Sequence, residues 1–307
     1  MRIVYLGTPE FAVPALEILL DNGYDIPAVI TAPDKPGGRQ GTLSSAVKKA
    51  ALARGVPVWQ PEKLKNPDFL ADLRALKADL QIVVAFRMLP EAVWNMPPMG
   101  TLNLHGSLLP KYRGAAPINW AIINGEAETG ITTFLLKHEI DTGDILFQER
   151  IPIDENETAG ELYEKMMHQG AALVLKTVKA LEQGRATPQP QPEGQVTHAP
   201  KIFTETCRID FSKPTDQVHN FIRGLSPHPG AWTHLDGKLL KIYRTLKVPA
   251  APAVSHRPGT CVVENNKIFK ISTLDGFVQV LELQEEGRKK MDAPAFLNGY
   301  KGQFLIS

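Results

Sequence analysis

Two hydrophobic periodicities alternate along the first half of the chain. Short apolar runs such as residues 2–6 and 80–85 predict buried strands, whereas apolar residues spaced three or four apart predict helices over 11–20 and 158–182. Strands that alternate with helices are typical of a mainly parallel sheet covered on both faces, so this half is expected to be α/β and Rossmann-like. The other predicted strands here are 28–30, 56–59, 101–105, 132–136 and 144–151, and the other helices are 44–54, 69–76 and 117–123.

The pattern changes at residue 184. Residues 184–200 are rich in Pro, Gln and Gly, which is typical of an extended, semi-rigid linker. Beyond them, short strand-like runs are separated by turn signals at Asp236-Gly237 and Asp275-Gly276. These runs predict a small β-barrel or sandwich with one helix over 218–225. The predicted strands of this half are 238–243, 259–264, 268–272 and 277–283.

The change in pattern predicts two domains, residues 1–185 and 206–307, joined by a linker over 186–205. Of the 307 residues, 43% are hydrophobic and 22% are charged, as in ordinary soluble proteins, which argues against a disordered chain or a coiled coil. No apolar run approaches the roughly 18 residues of a membrane-spanning helix. The first residues lack the pattern of a signal peptide, and the two cysteines have no CxxC spacing. We therefore expect a cytoplasmic protein without a structural zinc site.

Charge is distributed unevenly between the two halves. Residues 1–205 contain 20 Lys and Arg against 24 Asp and Glu, whereas residues 206–307 contain 14 against 9. A balance of −4 followed by one of +5 indicates that the second half could hold a polyanion such as nucleic acid. Ordinary scatter in a small domain would give the same numbers, so this interpretation needs independent support.

The end of the predicted strand 101–105 holds one candidate pair of chemically active residues. Asn103 and His105 are two positions apart, so both side chains face the same side of the sheet, and Gly106 lets the chain turn there. A carboxamide can donate a hydrogen bond to a developing oxyanion, and a histidine can move protons near neutral pH. The alternative is a packed histidine at a strand end. Ligands of α/β sheets bind at the carboxyl ends of strands, which makes the two interpretations about equal.

Three further stretches carry weaker signals. Residues 7–12 form a turn like a phosphate-binding loop but lack the full GxGxxG pattern, and a structural turn is favoured. Lys111 and Arg113 lie beside Gly114 and could meet an anionic substrate or belong to a solvated loop. Residues 139–144 contain three acids in six positions. An aspartic protease would need a second such triplet, and a zinc protease would need HExxH, so neither is favoured.

Two blocks together resemble the formyltransferases that use 10-formyltetrahydrofolate. Residues 103–110 read NLHGSLLP, and residues 141–144 read DTGD about 36 positions later. The resemblance implies a catalytic trio of Asn103, His105 and Asp141. Asn103 would donate to the oxyanion, His105 would relay protons to the departing nitrogen, and Asp141 would orient His105, stabilise its cation and position a water.

Other segments are similar to the branch of the family that formylates methionyl-tRNA. They are GTPEFA at 7–12, RGAAP at 113–117, RIDF at 208–211 and PGAW at 229–232. The resemblance implies a C-terminal OB-like β-barrel and a role in translation initiation. It also implies two partners, the folate co-substrate and initiator methionyl-tRNA, with no metal and no membrane; we expect a monomer.

The resemblance further implies two sets of binding residues. The folate slot would be lined by Phe86, Arg87, Met88, Leu89, Ser107, Leu108, Leu109, Pro110, His138, Glu139 and Ile140. Candidate tRNA contacts are Lys35, Arg39, Arg113, Arg223, Lys238, Lys241, Arg244, Arg288 and Lys289. Three alternatives stay open: a formyltransferase acting on an amino-sugar nucleotide, a 10-formyltetrahydrofolate hydrolase, and a folate- or RNA-binding module without activity.

Overall fold

The computed structural model describes residues 1–37, 41–249 and 257–307. Two compact units make up the chain. Unit 1 comprises Met1–Gly114, Gly130–Ile151 and Tyr163–His198, whereas unit 2 comprises Ala115–Thr129, Pro152–Leu162 and Ala199–Ser307. Neither unit is a single stretch of sequence.

The described residues form short strands and helices in an order close to the one predicted. In chain order the strands are β1 (Ile3–Gly7), β2 (Val29–Ile30), β3 (Lys35–Pro36), β4 (Thr42–Leu43), β5 (Val58–Trp59), β6 (Leu80–Val84), β7 (Thr101–His105), β8 (Arg113–Gly114), β9 (Glu128–Leu135), β10 (Ile145–Pro152), β11 (His198–Ala199), β12 (Ala231–Leu235), β13 (Lys238–Pro249), β14 (Cys261–Glu264), β15 (Ile268–Ser272), β16 (Gly276–Glu285) and β17 (Met291–Asp292). The α-helices are α1 (Val13–Asp21), α2 (Ala46–Ala53), α3 (Pro67–Ala75), α4 (Glu91–Trp94), α5 (Pro117–Ile123), α6 (Ala159–Glu182), α7 (Thr215–Gly224) and α8 (Ala293–Gly299), and single 3₁₀ turns occupy Glu10–Ala12 and Thr204–Cys207.

The main sheet confirms the predicted α/β class. Among the described residues its strand order is β10-β9-β7-β6-β1-β2-β5. β1 runs parallel to β2 and β6, and β6 runs parallel to β7, whereas β7 and β9 are antiparallel. Because β2 lies on one side of β1 and β6 on the other, the chain order reverses there. Open α/β sheets bind ligands outside the carboxyl ends of their strands near such a reversal.

The apolar runs that predicted the strands form the buried centre of unit 1. Every residue of β1 and of β6 is buried, as expected for strands covered on both faces. Helix α2 begins two residues later than predicted, after Ser45, whose hydroxyl accepts a hydrogen bond from the Lys48 N–H at 3.0 Å. The predicted helix over 11–20 is instead a 3₁₀ turn followed by α1, which has a proline in its first turn.

Unit 2 contains α5, α7, α8 and an antiparallel sheet. Within the described part of the chain that sheet has the order β12-β13-β16-β15-β14, and β17 pairs with β16. Single bridges connect Leu235 of β12 to Ile306 and Thr260, next to β14, to Leu305. Residues 305–306 therefore join both edges of the sheet, in agreement with the predicted small barrel. The Asp236-Gly237 turn joins β12 to β13 with positive φ at both residues.

The segment predicted as a linker is bonded to unit 1 as far as His198. Ile145 and Gln189 exchange both backbone hydrogen bonds at 2.7 and 2.8 Å. Further along, the Arg113 N–H donates to the Thr197 carbonyl at 2.9 Å. This polar, Pro-rich chain therefore has backbone partners beside β8 and β10, and the linker bounds of 186–205 stay a prediction.

Helices that could cross a bilayer are absent from the described residues, where none is both long and apolar enough.

Candidate active site

Strand β7 presents Asn103 and His105 near the middle of the main sheet. Asn103 lies between Val83 of β6 and Phe134 of β9, and His105 is the last residue of the strand. Side chains of a strand alternate between its two faces, so Asn103 and His105 share one face. The structure thus keeps the predicted pair on a rigid, buried strand at its carboxyl end.

The His105 ring is held by a backbone carbonyl. Its Nε2 lies 2.8 Å from the carbonyl oxygen of Tyr112, and the residue is buried. A carbonyl oxygen can only accept, so Nε2 carries the proton of the neutral ring. The lone pair of Nδ1 then faces Asp141, whose Oδ2 is 3.8 Å away. The sequence analysis assigned the orientation of His105 to Asp141, but the hydrogen bond that fixes the ring comes from Tyr112.

Asp141 sits in the loop between β9 and β10 and is itself held by the backbone. Its Oδ2 accepts a hydrogen bond from the Gly114 N–H at 2.9 Å. Its φ is 55°, a left-handed conformation that costs an aspartate about 1–3 kcal/mol unless its surroundings hold it. The carboxylate is therefore fixed beside Nδ1 of His105.

The loop after β7 is shaped by a network around Thr132. The Thr132 hydroxyl donates to the Ser107 carbonyl at 2.6 Å and accepts from the Leu109 N–H at 3.2 Å. Gln148 Nε2 donates to the Leu109 carbonyl at 2.9 Å. Ser107, Leu109 and Pro110 are buried, whereas Leu108 is half-buried. The side chains of Ser107, Leu109 and Pro110 are buried in the loop. They therefore do not fit as side-chain contacts to folate.

The loop after β6 divides the predicted slot residues into two groups. The Arg87 guanidinium donates to the carbonyl oxygens of Pro61 and Glu62 and lies over the Phe86 ring, with 5.6 Å from Cζ to the ring centroid. Leu89 is buried in the cluster of unit 1 that includes Val83. Leu89 is therefore not available to a ligand, whereas the exposed Arg87 side chain is bonded to the backbone at residues 61–62.

Four other slot candidates remain at the surface of unit 1. Met88 is 73% exposed and Ile140 is 58% exposed, and His138 and Glu139 are exposed beside Ile140. Single exposed apolar side chains are common on protein surfaces, so Met88 and Ile140 do not by themselves mark a ligand site.

Two family models match successive parts of the chain. The formyl transferase family model matches residues 1–178, and the model of the formyl transferase C-terminal domain matches residues 201–301. The chain belongs to the formyl transferase family. Similar relatives include the methionyl-tRNA formyltransferase of Bacteroides fragilis, 51% identical over 98% of this chain and 95% of that protein. That of Phocaeicola vulgatus is 53% identical over 98% of this chain and 96% of that protein.

Solved structures support the same fold for this formyl transferase. An N-formyltransferase from Helicobacter canadensis, in complex with folinic acid and dTDP-3-aminofucose, aligns with a TM-score of 0.71 and 22% identity. The alignment covers 93% of this chain and 99% of that one. HypX from Aquifex aeolicus, in complex with tetrahydrofolic acid, aligns with a TM-score of 0.66 and 20% identity over 100% of this chain and 50% of that one. At these identities the likeness establishes the fold alone.

Two of the arginines predicted to contact tRNA in this formyl transferase are engaged elsewhere. Arg223 is buried, and its guanidinium donates to the carbonyls of Asp154 and Glu157 at 3.2 and 3.0 Å. Burial also lowers its pKa. Arg113 donates through Nε and Nη2 to Gln191 Oε1 at 3.0 and 2.5 Å. As phosphate contacts, Arg223 and Arg113 do not fit, because internal oxygen acceptors already hold both guanidinium groups.

Four cations of unit 2 surround two carboxylates on β16. Glu285 is paired with Lys238 at 3.3 Å and with Arg288 at 2.8 Å. Glu282 is paired with Lys290 at 2.7 Å and lies 3.9 Å from Arg244. Each carboxylate is shared by two cations, so the group keeps a positive excess.

Other predicted cations of this formyl transferase have simpler surroundings. Lys241 donates to the Pro229 carbonyl at 2.9 Å, and Arg244 also pairs with Glu161. Lys289 is exposed in unit 2, and Lys35 is exposed in β3 of unit 1. Arg39 lies outside the described residues. The described residues contain no cluster of three His, Cys, Asp or Glu side chains able to hold a metal.

Three residues that build the site escaped the sequence analysis. Tyr112 and Gly114 act through backbone groups, and Gln191 lies 50 positions from the loop it contacts. Neither a backbone carbonyl nor a distant glutamine leaves a periodic or motif signal. The turn-forming Gly114 beside two cations was the nearest indication.

Proposed function

We propose that this chain transfers the formyl group of 10-formyltetrahydrofolate to the α-amine of initiator methionyl-tRNA, in the cytoplasm, at the start of translation. The observation that carries the proposal is the placement of His105, with Nε2 on the Tyr112 carbonyl and Nδ1 3.8 Å from the Asp141 carboxylate. Relatives about 50% identical over nearly the whole chain bear the name methionyl-tRNA formyltransferase, which supports tRNA as the acceptor.

The first step is the attack of the amine on the formyl carbon. A new C–N bond forms, the carbonyl becomes an oxyanion and the amine nitrogen becomes positively charged. Asn103 shares a face of β7 with His105, so its carboxamide can donate a hydrogen bond to that oxyanion. Removing one such donor typically costs about 10²–10³ in rate.

The second step moves one proton and breaks one bond. His105 Nδ1 accepts the proton from the attacking nitrogen, and the resulting imidazolium faces the Asp141 carboxylate. The proton then passes to N10 of the folate, directly or through a water held by Asp141, as the C–N10 bond breaks. The products are formylmethionyl-tRNA and tetrahydrofolate, with no net gain or loss of protons. The formyl donor is already activated, so these steps need no metal.

The binding roles extend the proposal to the two parts of the chain. The exposed loop residues Met88, His138, Glu139 and Ile140, with Phe86 and Leu108, are assigned to the folate. Lys238, Lys241, Arg244, Arg288 and Lys289 of unit 2, with Lys35 of unit 1, are assigned to tRNA phosphates. Catalysis would thus reside within residues 1–185, and all the assigned tRNA contacts except Lys35 would lie within 206–307, in a monomer.

The direct test incubates the full chain with 10-formyltetrahydrofolate and radiolabelled methionyl initiator tRNA. Formylmethionyl-tRNA should form with the wild-type chain. It should fall by at least about 10²-fold with Asn103→Ala and with His105→Ala. A reaction without tRNA and one with a dTDP-linked amino sugar serve as matched controls.

Each competing function gives a different result in the same assay. Tetrahydrofolate released without any acceptor would establish a hydrolase. Formylation of the amino sugar and not of the tRNA would show that the acceptor is an amino-sugar nucleotide. Folate binding without turnover in every reaction would refute an enzyme altogether.

A further inference from the structure

Gln191 is unlike its neighbours in the Pro- and Gln-rich segment. All residues from Thr187 to His198 are described, and every one except Gln191 is exposed. Gln191 is half-buried and uses both ends of its carboxamide. In a segment that reads as a spacer, Gln191 is thus the half-buried side chain, and Thr197 also takes part by accepting from the Tyr112 N–H at 2.8 Å.

The carboxamide of Gln191 joins two parts of the site. Its Nε2 donates to the carbonyl oxygens of Asp141 and Gly143 at 2.7 and 2.9 Å. Its Oε1 accepts from Nε and Nη2 of Arg113 at 3.0 and 2.5 Å. The next residue, Gly114, donates its N–H to the Asp141 carboxylate. Gln191 therefore connects the turn that carries Asp141 to the strand that holds its side chain.

The turn that Gln191 contacts has an unfavourable backbone conformation at Asp141. Asp141 has a left-handed conformation, with φ of 55°, which is less favourable for an aspartate than the right-handed and extended regions. The Gln191 amide donates a hydrogen bond to the backbone carbonyl of Asp141, while the Gly114 N–H donates one to the Asp141 carboxylate. Without the amide, two carbonyl oxygens of the turn and the Arg113 guanidinium would lose a shared partner.

We propose that Gln191 is a positioning residue for Asp141, fixing the distance between its carboxylate and His105 during formyl transfer. The inference rests on the proposed function, because it assumes that Asp141 acts on the reacting centre through His105. It gives the segment between the two family domains a part in the chemistry of the first.

The variant Gln191→Glu tests whether the hydrogen bonds of Gln191, and not the volume of its side chain, position Asp141. Glutamate has the same shape and still accepts from Arg113. It replaces the donating NH₂ group with a carboxylate oxygen that faces the carbonyls of Asp141 and Gly143, so the turn must move. Gln189→Glu is the matched control, since that side chain is exposed two positions away and carries the same change of charge.

The kinetic test compares kcat and KM for formylation of methionyl-tRNA. Gln191→Glu should lower kcat by about 10²-fold with little change in KM for either substrate, as expected when a catalytic group is displaced by about 1 Å. Gln189→Glu should stay within about twofold of the wild type. The double variant Gln191→Glu/Asp141→Asn should be no slower than Asp141→Asn alone, since both changes remove one function. Activity of Gln191→Glu within threefold of wild type, or losses that multiply in the double variant, would overturn the proposal.

Hydrogen–deuterium exchange over residues 136–146 keeps the proposal testable without catalysis. Exchange there should be at least about tenfold faster in Gln191→Glu than in the wild type and the Gln189→Glu control, because local opening exposes the turn. Unchanged exchange, or faster exchange across the whole chain, would refute a local positioning role. A wild-type chain that fails to formylate methionyl-tRNA refutes the proposed function, and the exchange result still decides the role of Gln191.

Discussion

Replacing Asp141 by asparagine tests the electrostatic part of the mechanism. The variant is nearly isosteric, and its side-chain oxygen can still accept the hydrogen bond that Gly114 donates at 2.9 Å in the wild type. It removes only the negative charge 3.8 Å from Nδ1 of His105. Two unit charges about 4 Å apart attract by about 4 kcal/mol at an effective dielectric constant of about 20. Losing that attraction from the imidazolium that forms after attack should slow formyl transfer by about 10³-fold.

The assay is single-turnover formylation of methionyl-tRNA with enzyme in excess over tRNA. That arrangement isolates the chemical step from product release. Glu149→Gln is the matched control, because Glu149 lies on β10 of the same unit and pairs with Lys176 at the surface. The control should keep its rate within about twofold. An Asp141→Asn rate above one tenth of wild type would refute the proposed electrostatic role, and an equal loss in both variants would show that any removed carboxylate slows the enzyme.

Three further perturbations have expected outcomes. Gly143→Ala should lower formylation by about 10²-fold, because the added Cβ would overlap the Leu135 carbonyl oxygen and displace the turn; a rate like that of wild type would contradict this. Lys289→Ala should reduce the slope of log Kd for tRNA against log salt by about 0.9 without changing the thermal midpoint, and an unchanged slope would remove Lys289 from the interface. Burial lowers the pKa of His219, so the unfolding free energy should be highest above about pH 6.5 and decrease as the pH falls below it, by at most about 1.4 kcal/mol per pH unit. Urea titrations at pH 7.5 and 5.5 should show this decrease in the wild type but less of it in His219→Gln, and equal decreases in both would contradict the assignment.

Hydrophobic periodicity predicted β1 and β6 well, because both strands are buried over their whole length. Strand β7 of unit 1 and helix α5 of unit 2 have the predicted bounds, and α6 begins one residue later than predicted. In unit 2 the pattern was less informative. β13 continues to Pro249, beyond the predicted end at 243, because irregular pairing between Ile242 and Thr245 interrupts the alternation on which the prediction depended.

The candidate site was predictable only where residues form a motif. Asn103 and His105 are two positions apart on one strand, so their shared face follows from the sequence. The contacts that a basic side chain makes in the folded protein do not follow from the sequence in this way. Arg223 and Lys289 are both basic residues of the second half, yet one donates to buried carbonyls and the other is exposed. Such differences depend on contacts between distant parts of the chain, as does the bond between Gln191 and the Asp141 turn.

Unit 2 is built from three separate segments of the chain, and this limits which segments could be exchanged with a relative by recombination. Helix α5 lies between two segments of unit 1 in the chain, yet it packs within unit 2, where Asn119 donates to the Gly224 carbonyl of α7 at 2.7 Å and Ile123 touches Gly224. A single crossover near residue 199 would give α5 and α7 different parents and break that fit. Viable chimaeras should therefore take residues 115–129 and 152–162 from the same parent as residues 199–307, and recombination that spares function should respect all three blocks.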